Sequence, residues 1–85
     1  MTEDERIARG RQASQELRVT EDAFAAVRQT LVEAMIATPP DNETGIMKRH
    51  QAIQVLDMVR KALMLVVADG DMARAAQESG LNRPN

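Results

Sequence analysis

Two consecutive prolines, Pro39 and Pro40, divide the helix-forming sequence of this chain, and they set what it can fold into. Proline lacks the backbone donor a helix needs and pushes the residue before it out of helical conformation. A helix arriving from the N-terminal side must stop near Thr38, and a new one can begin only beyond the pair. Asp41 and Asn42, which follow at once, are residue types that cap helix starts. A connection of about five residues leaves the helices on either side lying against each other as antiparallel neighbours.

The stretch from Asn42 to Gly70 reads as one long helix with apolar residues on more than one side. Ala52, Leu56, Val59, Leu63 and Val66 follow the 4-3-4-3 spacing by which one helix packs lengthwise on another. Met47, Val55, Met58, Ala62 and Leu65 form a second apolar row on a neighbouring face. The helix before the prolines, capped by Thr20 with Glu21 and Asp22 at its positive end, offers one matching stripe of Phe24, Val27, Leu31, Ala34 and Met35. Val32 and Ile36 lie off that stripe as candidates for a second contact. The two lengths are unequal, about 17 residues (~25 Å) against about 27 (~40 Å) at a rise of ~1.5 Å per residue. The shorter helix therefore cannot cover the longer one along its whole length, and the uncovered part toward Leu63, Leu65, Val66 and Val67 is left for the N-terminal helix or for another chain.

Toward the N-terminus, Thr2 and Glu5 make a T-x-x-E capping box that starts a helix at Glu3. Ile7, Ala13 and Leu17 are its apolar marks, and Gly10 weakens its middle by roughly 1 kcal/mol relative to alanine. Arg6, Arg9, Arg11 and Arg18 interleave with Glu3, Asp4, Glu5 and Glu16, the pattern of a solvated, ion-paired face. Toward the C-terminus, Gly70 is expected to close the long helix as a left-handed cap, Asp71 to start a short helix through Glu78, and Gly80 to close that one. The expectation is an all-α fold in one small domain, residues 1–85. An antiparallel hairpin of about 21–38 and 42–69 carries an N-terminal helix over 1–18, a short C-terminal helix and a tail over 81–85.

Function is narrowed mainly by exclusion. Much of the 44% hydrophobic content is alanine and Phe24 is the one aromatic residue, so the core of large side chains is thin and a partner would supplement it. A net charge of -2 argues against a protein that coats nucleic acid. The lack of cysteine removes disulfides, thiolate zinc sites and thiol chemistry. The charged opening from Glu3 to Arg6 is unlike a signal peptide, and no apolar run reaches spanning length, so a cytoplasmic protein without a membrane partner is expected.

His50 is the single histidine, and Gln54 and Asp57 do not complete a ligand set around it. The acid groups Glu3/Asp4/Glu5, Glu21/Asp22 and Asp69/Asp71 are expected at helix ends, where capping and the helix dipole explain them. There is no glycine-rich phosphate loop, nucleophile elbow or serine with a base, so no catalytic residue, metal or cofactor is expected and the chain reads as a non-enzyme. Lys48, Arg49, Arg60 and Lys61 are the candidate phosphate contacts; Arg49 and Arg60, about three turns apart, can share a face. Without aromatic partners these four make at most a weak nucleic-acid surface. Six methionines are many for this length, and Met47 and Met58 suit an adaptable binding face. The second row, Met47, Val55, Met58, Ala62 and Leu65, is accordingly the expected interface, for a second copy or for another protein.

Two resemblances add to this. Ala75-Ala76-Gln77-Glu78-Ser79-Gly80-Leu81-Asn82-Arg83-Pro84 resembles the first helix and turn of a helix-turn-helix, with Ala76, Gly80 and Leu81 at that motif's spacing and Ser79 departing from it. It implies a turn at Gly80 and, as the alternative function, a nucleic-acid-associated regulatory protein. Over most of its length the chain resembles small helical proteins encoded in the structural modules of tailed phages and prophages. Arg11-Gln12-Ala13, Glu16-Leu17, Ala23-Phe24, Val32-Glu33-Ala34-Met35, Thr38-Pro39-Pro40-Asp41 before Glu43 and Gly45, and Val59-Arg60 with Val66 before Gly70 carry that likeness, with Met35 standing where a large aromatic is usual. The resemblance implies a virion-assembly or accessory role, in the host cytoplasm or the particle, or a small phage inhibitor of a host protein.

Overall fold

The computed structural model describes residues 1–81. In it the chain forms two helices that pack against each other, α1 (Glu3–Ala37) and α2 (Glu43–Leu81). Their contacts fall into two compact units. One is continuous in sequence, Thr20–Lys61, and holds the connection between the helices. The other is split, joining Met1–Val19 to the chain from Ala62 onward.

The boundaries around the prolines follow from local chemistry. The N-terminal cap is formed as expected, with the Glu5 amide donating to Thr2 Oγ1 at 3.1 Å. α1 stops at Ala37, and the buried Thr38 turns back on it, its hydroxyl donating to the Ala34 carbonyl at 2.7 Å. The Asn42 amide donates to the Pro39 carbonyl at 2.9 Å, closing a tight turn. Asn42 Oδ1 then accepts the Gly45 amide at 3.0 Å and caps α2.

Four expected helices are two. Thr20 does not start a helix, because α1 passes through it without a break. No proline or glycine lies between Arg11 and Thr38 to interrupt the chain, and Ala13, Leu17, Thr20 and Phe24 keep an unbroken 4-3-4 spacing through the supposed boundary. Gly70 does not cap α2, since no glycine among the described residues has a positive φ and the helix runs on to Leu81. Asp71 pairs with Arg74 at 3.3 Å instead of capping. Gly80 is helical, so the turn implied by the helix-turn-helix likeness is not formed there. Of the expected 81–85 tail, Leu81 is the last residue of α2 and 82–85 lie outside the described residues.

In the continuous unit, Phe24, Leu31 and Met35 of α1 and Ile46, Ile53 and Leu56 of α2 turn inward. This corrects the expected packing row of α2. Leu56 and, in the split unit, Leu63 and Val66 are half-buried as expected, but Ala52 is exposed and Val59 is 48% exposed, while Ile53 is only 7% exposed. The seam actually reads Ile46, Arg49, Ile53, Leu56, Arg60, a 3-4-3-4 spacing with arginine at two of its five positions. Both arginines are half-buried. Their aliphatic stems can line the seam while their charged ends reach out of it.

The split unit is built around a close backbone contact. A Cβ placed on Gly10 would stand 2.8 Å from Gly70 Cα, and one placed on Gly70 would stand 2.8 Å from Gly10 Cα and 3.0 Å from the Arg6 carbonyl oxygen. The missing side chains are what let α1 and α2 meet here. Ala13 and Ala73, 4% and 0% exposed, fill the adjacent turns. Arg6 clasps Asp69 beside this contact, with Nη2 to Oδ1 at 2.7 Å and Nε to Oδ2 at 3.0 Å. Gln77 Nε2 donates to Asp4 Oδ1 at 2.7 Å.

The hydrogen bonds from Arg6 hold the Asp69 carboxyl below the usual carboxylate range, and Asp69 in turn raises the Arg6 guanidinium. A depressed carboxylate stabilises the fold above its unfolded pKa and loses that contribution as pH falls through its lowered folded value. Asp69→Asn is therefore expected to be less stable than the parent at neutral pH. Below about pH 4 the difference should close progressively as the parent's carboxylate protonates. Denaturant melts of both proteins between neutral pH and strong acid check this; a difference that does not change with pH would disconnect the ion pair from stability.

Candidate interaction surface

The outward side of α2 is where the expected interface residues lie. In the continuous unit Met47, Val55 and Met58 are 57%, 58% and 67% exposed. Met47 and Met58 are 11 residues apart, which at about 100° per residue puts them within about 20° of each other and roughly 160° or more round the helix from Leu56. They stand nearly opposite the seam. In the split unit Ala62 is exposed and Leu65 is 60% exposed. All five residues of the second row thus face away from the packing inside their unit. On α1, Val32 is half-buried while Ile36 is exposed.

The four candidate phosphate contacts do not share a face. Arg60 Nη2 meets Glu21 Oε1 at 2.7 Å, and Arg49 Nη1 donates to the Gly45 carbonyl at 3.2 Å. Both belong to the seam between the helices. Lys48 and Lys61 remain outward, on opposite flanks of the Met47–Met58 row at about 140° from each other. Arg49 and Arg60, 11 residues apart on α2, share a face by helix geometry, and that face is turned inward. A second pair, Arg28 Nε to Asp57 Oδ1 at 3.1 Å, joins α1 to α2 from the other direction.

These two ion pairs border a shallow groove floored by Phe24, Ala25 and Leu56, with a volume of about 230 Å³. That is below the ~300 Å³ at which ligand pockets begin, and side chains already paired with each other line it. Among the described residues no group of three histidine, aspartate or glutamate side chains could hold a metal ion. His50 is exposed. Of the acidic residues expected at helix ends, Glu3, Asp4 and Glu5 form the first turn of α1, whereas Glu21 and Asp69 lie inside α1 and α2 and pair with Arg60 and Arg6. Among the described residues no helix is long and apolar enough to cross a membrane.

Sequence reasoning missed Ile46 and Ile53 as inward residues. The available signal was the continuous 3-4 spacing through Arg49 and Arg60, which becomes visible once arginine is allowed a seam position. No protein-family model, curated protein or solved structure matches this chain.

Proposed function

We propose that this chain is a non-catalytic helical interaction protein, an antiparallel hairpin that works by associating with itself through the outward row of α2. One observation carries the reading. Among the described residues no large side chain is fully buried, and the buried apolar residues are Ala13, Ile53 and Ala73, while Met47, Val55 and Met58 stand in solvent. Burying such side chains against a partner is worth roughly 1.5–3 kcal/mol each before ordering costs. Three or four of them suffice for micromolar to nanomolar association when they pack well. The methionines suit the role, since their unbranched side chains adapt to an opposing surface.

The sequence resemblance to small proteins of phage structural modules gives this association a setting, the assembly of a particle or an accessory complex. The nucleic-acid reading is less well supported, because two of its four cations sit in the seam and the remaining two diverge. Light scattering across a concentration series tests the proposal. The expected result is a mass that is a multiple of 9.4 kDa and falls on dilution. A helical monomer of 9.4 kDa at every concentration would overturn it and turn the search to a foreign partner, such as a host protein that the chain inhibits.

A further inference from the structure

We propose that the second copy docks antiparallel on the outward side of α2, about a two-fold axis between Gln51 and Gln54, pairing Met47 with Met58 and Glu43 with Lys61 of the other copy. This deepens the self-association reading and rests on it. The pattern from Glu43 to Lys61 is self-complementary, and it lies wholly within the continuous unit.

Glu43 and Lys61 are 18 residues apart, five turns at 3.6 residues per turn, so they lie on one line along the helix. Both are exposed, and neither has an ion-pair partner among the described residues. Between them run Met47, Gln51, Gln54 and Met58, the two methionines more than half exposed. In an antiparallel pair centred at 52–53, Met47 faces Met58, Gln51 faces Gln54, and Glu43 falls within one residue of Lys61. Each contact occurs twice, as a two-fold interface requires. A parallel pairing would instead set Glu43 on Glu43 and Lys61 on Lys61, stacking like charges at both ends. The charges therefore select one orientation, and the occupant they fit is a second copy of this same helix.

Two experiments test the arrangement, with the mass measurement run alongside. Lys61→Glu is expected to weaken association about tenfold by opposing two like charges twice, and adding Glu43→Lys to the same chain should restore it to within about twofold. Because both positions are exposed, the helical circular dichroism of the variants should match the parent. For orientation, Met47→Cys and Met58→Cys proteins are oxidised separately and as an equal mixture. The expected result is a disulfide chiefly in the mixture, since like positions would lie about 16 Å apart along the axis, beyond the ~7 Å a disulfide spans. Disulfides formed mainly by each variant alone would show a parallel dimer and overturn this geometry while sparing self-association. A dimer with no cross-link and no charge-swap effect would place the interface on another face. A parent protein that is monomeric throughout would remove both the geometry and the function on which it rests.

Discussion

Replacing Gly10 or Gly70 with alanine is expected to lower the melting temperature by several degrees, the reverse of what alanine does inside an ordinary helix. Both glycines are helical, where alanine is normally better by about 1 kcal/mol. At either position the new Cβ would stand 2.8 Å from the opposing Cα, and the atoms it meets are backbone, which cannot rotate away. The helices must separate locally, loosening the fit of Ala13 and Ala73, and overpacking of this kind costs about 1–3 kcal/mol. A net loss near 1 kcal/mol corresponds to about 4–8 °C in a domain of this size. Gly80→Ala supplies the contrast, because its Cβ would meet nothing within 4 Å, and that variant should gain stability from helix propensity alone. Thermal melts at one fixed protein concentration, to hold any association constant, compare the three. A rise in all of them would mean that Gly10 and Gly70 do not touch.

The second large effect is expected at the interface and should leave the fold intact. Met58→Asp and Leu65→Asp each put a carboxylate on a side chain that is 60% or more exposed. Within one chain the cost is limited to helix propensity, at most ~0.7 kcal/mol. In the associated state Met58→Asp removes about 1.5–3 kcal/mol of apolar burial and buries a charge, and symmetry counts the loss twice, whereas Leu65, which falls opposite position 40 and so short of the other copy's α2 in the antiparallel pair, should change association much less. A loss of about 3 kcal/mol or more raises the dissociation constant by at least about a hundredfold. Sedimentation or light scattering reads the association and circular dichroism reads the helix. Unchanged assembly in Met58→Asp would remove the outward row from the interface, and an equal loss in Leu65→Asp would overturn the antiparallel register.

What could be read from the sequence was whatever a few neighbouring residues decide by themselves. Pro39-Pro40 stops α1, Thr2 and Asn42 cap the two helices, and the outward row of α2 follows from its spacing. Residues with two possible uses could not be resolved this way. Thr20 and Asp71 are able caps, yet both lie inside continuous helices, because apolar spacing runs on through Thr20 and no competing break follows Gly70. Gly70 carries the usual sign of a helix end, and its actual use depends on Gly10, which is 60 residues away. The seam of α2 was obscured for a different reason: apolar periodicity passes over Arg49 and Arg60, although both are half-buried and only the ends of their side chains are charged.

The division into two units has a consequence for how the molecule closes. In the continuous unit the helix-to-helix pairs Arg28–Asp57 and Glu21–Arg60 span 29 and 39 residues of chain. In the split unit Arg6–Asp69 and Asp4–Gln77 span 63 and 73. The split unit has no short covalent path between its halves; they are held at each other's disposal by the residues of the continuous unit. The turn at Pro39–Asn42 thus acts as a tether that sets the effective concentration at which Gly10 finds Gly70. Cutting the chain there would make the meeting of Gly10 with Gly70 depend on a bimolecular encounter, and so on how much of each fragment is present.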